Sequence, residues 1–164
     1  KIILDAPCGD YQWMKTIVDE GSFFYIGADI VPELILGNIK KYRSSRVSFL
    51  ELDICSDELP DADILICRDC LFHLSDKDIN KFFVNFSNSK IPFLLTTTHV
   101  QGAKLFANRD IVSGDFRRID LFSPPYCLPT SVMDRFFDFV SPEPAREMCL
   151  FTRDDIRSSI LSKA

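Results

Sequence analysis

Short apolar runs of strand length alternate along this chain with segments whose apolar residues recur every three or four positions. "KIILDA" from Lys1 reads as a first strand, and "FFYIGAD", "VSFLELD", "DILICR" and "IPFLLTTT" as the second to fifth, the last with Pro92 near its start, where a missing donor does least harm. Between them lie helical patterns. Trp13, Met14, Ile17 and Val18 form one stripe, ended by Gly21; Val31, Leu34, Ile35, Ile39 and Tyr42 form a second, opened by Pro32. "SDKD" from Ser75 is a capping box ahead of a third stripe, Ile79, Phe82, Phe83 and Phe86. Beyond His99 the pattern weakens to a short strand near "RRIDLF", a rigid loop "SPPYCLP" and a last strand near "EMCLFT". Strand and helix alternating from the start predict an α/β fold: a mostly parallel central sheet covered by helices in three layers. A length of 164 residues predicts a single domain over 1–164.

Asp5, Asp29 and Asp53 each close a strand, at equal intervals of 24 residues. In an open parallel sheet ligands bind beyond the carboxyl ends of the strands, so three acids there are expected to share one crevice. A carboxylate after the second strand can accept from both hydroxyls of a ribose, which makes Asp29 the candidate. Asp53 can accept from an adenine amine while the Ile54 N–H donates to a ring nitrogen. The plainer alternative is that each acid caps the turn that follows it, and Asp10 reads most simply as the N-cap of the first helix. The turn "APCGDY" holds one glycine, Gly9, with Pro7 and Tyr11 where a dinucleotide fingerprint would place others. A pyrophosphate needs those glycines to approach the backbone. S-adenosylmethionine carries no phosphate, and one close backbone approach suits it.

"ILDAPCGD", "YIGADIVPELI", "FLELDI" and "DILICRDCLFHLS", in that order, resemble the class I S-adenosylmethionine-dependent methyltransferases. The longer string, through "LLTTTH", "GDFRRIDLFSPPYCLP" and "CLFTRDDI", is similar to a bacterial-type subgroup of that superfamily over nearly the whole chain. The resemblance implies a three-layer Rossmann-like methyltransferase fold, S-adenosyl-L-methionine as cofactor, and a methyl acceptor that is a small molecule or a side chain. It implies that Asp5 and Gly9 shape the methionine-binding loop, that Asp29 with Ile30 holds the ribose, and that Asp53 with Ile54 reads the adenine. Backbone near Cys67 and Arg68 would face the ammonium and the transfer centre. Pro7 and Tyr11 depart from the superfamily's usual glycines, as the subgroup's own version of the loop.

Methyl transfer is an in-line displacement that gains much of its rate from alignment. His73, just past the fourth strand, is the candidate general base, with Asp69 as a second candidate for binding an acceptor amine or fixing the loop. Arg117, Arg118 and Tyr126 are candidate acceptor contacts. "CRDC", Cys67 to Cys70, lacks the partners that would complete a zinc site and the position of a thioredoxin-like pair, so no metal is expected. "SPPY" resembles the tetrapeptide by which amino-methyltransferases grip a planar amine, but it lies far from the fourth strand and reads better as a loop over the acceptor pocket. Two rivals remain: a nucleotide-cofactor oxidoreductase, which would need phosphate-binding glycines, and a catalytically silent cofactor-binding module.

A net charge of -5 argues against a large nucleic-acid footprint, leaving a local basic patch at Arg109, Arg117 and Arg118. Six cysteines, mostly in apolar segments, suit reduced thiols. No apolar run reaches the ~20 residues of a membrane span and no signal-peptide pattern opens the chain. A cytoplasmic protein with no membrane partner is expected, its oligomeric state unspecified. The chain opens inside a strand, so a segment ahead of Lys1 is expected to help wall the acceptor pocket.

Overall fold

Strand residues alternate between two faces, and each face meets its own pair of helices. The computed structural model describes residues 1–102 and 105–161. Its strands are β1 (Ile2–Asp5), β2 (Phe24–Asp29), β3 (Val47–Glu51), β4 (Ile64–Cys67), β5 (Phe93–His99), β6 (Asp134–Phe137) and β7 (Arg146–Thr152). They form one sheet in the order β3-β2-β1-β4-β5-β7-β6. β1 to β5 pair in parallel, and β7 pairs antiparallel with both β5 and β6. Register places Leu4 beside Leu65, Leu65 beside Leu94 and Leu94 beside Phe151, a continuous apolar row on one face. That row meets α3 (Asp76–Asn88) and α4 (Arg153–Leu161), with Phe82, Phe83, Phe86 and Ile156 fully buried. Tyr25, Val47, Phe49 and Ile66 point to the other face, under α1 (Gln12–Glu20) and α2 (Pro32–Tyr42).

Half of the predicted capping box forms: Ser75 Oγ accepts from the Asp78 N–H at 3.2 Å and donates to the Asp78 carboxylate at 3.0 Å, while the Ser75 N–H donates to Ser113 Oγ at 2.9 Å instead of to Asp78. The first two helices bury less of their stripes than the sequence suggests. Met14, Val18 and Ile35 are buried, whereas Trp13, Ile17, Val31 and Leu34 are more than a third exposed. No helix joins β3 to β4 among the described residues. There the Asn85 amide of α3 instead donates to Ile54 O and Asp57 O, each at 2.8 Å, and fixes the loop.

The expected strand near "RRIDLF" is absent. Residues 117–122 run beside the end of β5, but only one backbone bond reaches it, His99 N–H to Ile119 O at 2.7 Å. The Ile119 and Leu121 amides go to side chains instead, His99 Nδ1 and Thr98 Oγ1, so no ladder starts. β6 carries no pattern that sequence reading could use, whereas α4 was missed although Thr152 and Asp155 form a reciprocal capping box ahead of Ile156 and Ile160. All four β6 residues are exposed on an edge strand, so apolar and polar positions do not alternate.

Candidate functional site

The loop between β1 and α1 is tied down at every step across the carboxyl ends of the sheet. Ala6 N–H donates to Ile66 O of β4, and Cys8 N–H to Ala28 O of β2. Gly9 N–H donates to Asp29 Oδ2 at 3.0 Å, and Gly9 O accepts from the Asn38 amide of α2 at 2.8 Å. Gly9 has φ +53°, a conformation that side chains with a Cβ resist. Tyr11, where a glycine would be usual, also takes a left-handed φ of 68°. Its ring offsets that cost by packing against Tyr25, Tyr42 and Phe49, with centroids 4.9, 5.2 and 5.3 Å away. Asp10 accepts from the Gln12 N–H at 3.1 Å, so it does the work of a cap although Tyr11 occupies the N-cap position.

Asp29 and Asp53 line a single cavity of about 150 Å³ with Pro7, Ile30, Ile54 and Cys70. Asp29 Oδ1 accepts from the Val31 N–H while Oδ2 holds Gly9. Asp53 Oδ1 accepts from the Cys55 N–H and Oδ2 from Ser56 Oγ. Both acids therefore cap their turns, as the plainer reading had it, yet each ionised carboxylate still has acceptor sites left for a ligand. The Ile54 N–H meets no acceptor among the described residues. Asp5 is placed differently. It is fully buried beneath the loop, and Tyr25 Oη donates to its Oδ2 at 2.6 Å while Oδ1 has no partner. Burial, reinforced by Asp29, pushes its carboxyl up to about 7. The structure brings two of the three aspartates to one cavity and keeps the third below it.

On the β4 side, Arg68 holds Asp138 with two bonds of 2.7 and 3.2 Å and lies over the Trp13 ring at 4.9 Å. Cys67 is buried, and its carbonyl accepts from Thr96 Oγ1. Cys67 and Cys70 are free thiols, and no metal-holding cluster of His, Cys, Asp or Glu occurs among the described residues. Asp69 sits at φ 51°, its N–H bonded to Thr97 Oγ1, its carboxylate 3.0 Å from Arg146 Nε and 3.7 Å from Arg68. His73 closes a one-turn 3-10 helix, Leu71–His73, with Nδ1 2.9 Å from Asp115 O and its ring beside Phe72 and Phe116.

Arg117 is almost fully buried. It donates to Leu74 O at 2.6 Å, pairs with Asp76 at 3.1 Å and meets Tyr126 Oη at 2.7 Å, while Tyr126 also bonds Asp76. These two candidate acceptor contacts thus lock the 105–130 segment onto α3. Arg118 is exposed, its guanidinium 4.5 Å above the Phe106 ring. Sequence reading passed over His99, which ends β5 as Asp5 and Asp29 end β1 and β2. It is buried, accepts from the Ile119 N–H through Nδ1, and is pushed down to about 4 by burial and then by Arg146 and Arg118. The polar residue closing an apolar strand was the available signal.

No protein-family model and no curated protein sequence matches the chain. Solved structures do. A human N-acetylserotonin methyltransferase bound to S-adenosylmethionine superposes with TM-score 0.65 at 15% identity, over 92% of this chain and 47% of that one. This chain thus spans about half of the human enzyme's length. An S-adenosylmethionine-dependent methyltransferase from Methanosarcina mazei gives TM-score 0.65 at 15% identity, over 92% and 91% of the two chains. Magnesium protoporphyrin IX methyltransferase from Synechocystis PCC 6803, with bound S-adenosylhomocysteine, gives 0.67 at 14%, over 92% and 73%. The sheet order, the tethered β1–α1 loop and these superpositions together establish that the chain has the Rossmann-like fold of the class I S-adenosylmethionine-dependent methyltransferases.

Proposed function

We propose that the chain binds S-adenosyl-L-methionine across the carboxyl ends of β1 to β4 and transfers its methyl group to a polar acceptor at the ends of β4 and β5. The observation that carries this reading is the cavity shared by Asp29, Asp53 and Ile54, where two carboxylates stand beside a backbone donor that has no partner among the described residues. That set matches an adenosine: Asp29 for the ribose hydroxyls, Asp53 for the exocyclic amine and Ile54 N–H for a ring nitrogen. Ile30 would add apolar contact with the ring. Gly9, held by Asp29 and Asn38, would offer a loop without a Cβ to the methionine portion. The single-glycine turn, with Tyr11 wedged among three rings, supports a ligand without pyrophosphate and so disfavours an oxidoreductase.

When bound, the cofactor supplies an electrophilic methyl group on a sulfonium. The chain's part is to position and to move a proton. His73 Nδ1 faces a carbonyl, which can only accept, so that nitrogen carries the proton and Nε2 is left as the basic site. His99 has the opposite tautomer: Nδ1 accepts from a backbone N–H, so a neutral ring presents Nε2–H as a donor. One histidine able to take a proton and one able to give a hydrogen bond suit an oxygen or nitrogen acceptor. Asp69, gripped by Arg146, acts in this reading as the part that fixes the wall.

Calorimetry with S-adenosylmethionine, S-adenosylhomocysteine and NAD tests the assignment. Both sulfur ligands should bind and NAD should not, and Asp29→Asn should weaken both about tenfold or more, since a charged acceptor becomes neutral. NAD binding without either sulfur ligand overturns the proposal. Incubation with methyl-labelled cofactor and a cell extract then separates an enzyme from a silent module, which would bind firmly and label nothing.

A further inference from the structure

The geometry points to an oxyanion, carboxylate or phosphate, as the group by which the acceptor is held, with Arg118 and Arg109 as its ligands in a basic cavity after β5. This inference rests on the methyl-transfer reading for the word acceptor, but the anion site stands on observations of its own. A cavity of about 340 Å³ is lined by Phe106, Ala107, Arg109, Arg117 and Arg118. Three of its five lining residues are arginines and none is acidic, in a chain whose net charge is -5.

Arg68, Arg117, Arg135 and Arg146 each pair with a carboxylate. Arg46, Arg153 and Arg157 donate to backbone carbonyls. The Arg43, Arg109 and Arg118 side chains do neither among the described residues, and of these three Arg109 and Arg118 line the cavity. Arg117 also lines the cavity, but its buried guanidinium is committed to Asp76, Leu74 O and Tyr126, which leaves Arg109 and Arg118 as the ligands.

Arg118 is also pre-set. Stacking on Phe106 occupies a face of its guanidinium and leaves the in-plane N–H groups free, and those match an oxyanion two at a time. Its backbone cannot wander: Arg117 N–H is bonded to Phe72 O beyond β4, and Ile119 exchanges two bonds with His99 at the end of β5. The charge of Arg118 therefore sits at the rim where β4 and β5 end, close enough for the His99 imidazole to feel it. A polar pocket of this size accommodates a small metabolite anion rather than a polymer. An acidic acceptor would meet fixed positive charge on one side and the two histidines near its nucleophile.

The test uses the intact chain and inorganic phosphate and acetate as probes, read by the Nε–H resonances of the arginines. Phosphate, acetate or both should shift the Arg118 and Arg109 signals saturably, and whichever binds tighter indicates the source of the oxyanion. Arg118→Met keeps the stem over Phe106 but removes the fork, and should weaken the anion at least tenfold. Arg118→Lys should recover only part of the loss. S-adenosylhomocysteine affinity, measured on the same samples, should stay within twofold in both variants. No saturable shift with either anion, or equal anion affinity in Arg118→Met, overturns the proposal. Anion binding in a protein that fails to bind S-adenosylhomocysteine instead removes the methyl-donor reading, and with it the acceptor assignment, while the anion site stands.

Discussion

Replacing Asp5 by Asn should remove a loss of stability that the parent suffers between acid and mildly alkaline pH. Asp5 is fully buried, and its carboxyl is raised from 3.8 to about 7 by loss of water and by the neighbouring Asp29. Between pH 4 and 7 the unfolded chain has released this proton while the folded chain retains it. Folded protein then binds more protons than unfolded, so stability falls as pH rises. At about 1.4 kcal/mol per pH unit, a rise of about three units gives a loss of about 4 kcal/mol across that window, complete by about pH 7. Asn stays neutral and can accept from Tyr25 Oη, and like the protonated acid it replaces it leaves a donor without an acceptor. The variant should accordingly lie close to the parent at pH 4–5 and be more stable than it at pH 8. Urea unfolding at unit intervals from pH 4 to 8 measures this, and the difference between the two proteins cancels every other titrating group. A difference that stays level across that range would refute the assignment of a raised carboxyl at Asp5.

Three further changes test the supports of the site. Tyr11→Gly should relieve about 1–2 kcal/mol of left-handed strain but forfeit about 3–5 kcal/mol of ring packing, for a net loss near 2–3 kcal/mol in denaturant unfolding; a gain would mean strain dominates this turn. Asp76→Ala should cost about 3 kcal/mol, the low end for a broken buried pair, because Leu74 O and Tyr126 still hold Arg117. A thermal shift near zero would show that the 105–130 segment does not need this anchor. Phe86→Ala should cost about 3–5 kcal/mol by unfolding titration, since the ring is fully enclosed between α3 and the sheet.

Most of the fold that sequence reading reached is held together by periodic burial. β1 to β5 and α1 to α3 each bury a repeating face, and that repetition is written in the residues, while β7 was legible as the apolar run "EMCLFT". β6 was illegible because an edge strand with four exposed residues owes its form to β7 alone. The false strand at 117–122 failed for a different reason: its amides find side chains, which no periodicity records. In the site, the strand-end rule located Asp29 and Asp53 but could not tell that Asp5 lies under the loop, since depth depends on which face Tyr25 occupies. Arg117 and Tyr126 read as candidate acceptor contacts and not as partners of each other, a pairing set by chain reversal over nine residues.

Asn108 deserves a last consideration as a peg. Its amide group bonds both polar backbone atoms of Asp120 and reaches Pro124 O, while Gln101 clasps Phe106 and the Asp120 carboxylate. A long irregular stretch is thus shaped by a few amide side chains rather than by ladders or coils. On the proposed reading, drift in the arginines and aromatic rings hung on this frame would retune acceptor recognition without disturbing the adenosine half, whereas loss of a peg would loosen the frame itself. Diversification of acceptor choice would then run through the decorations and spare the pegs.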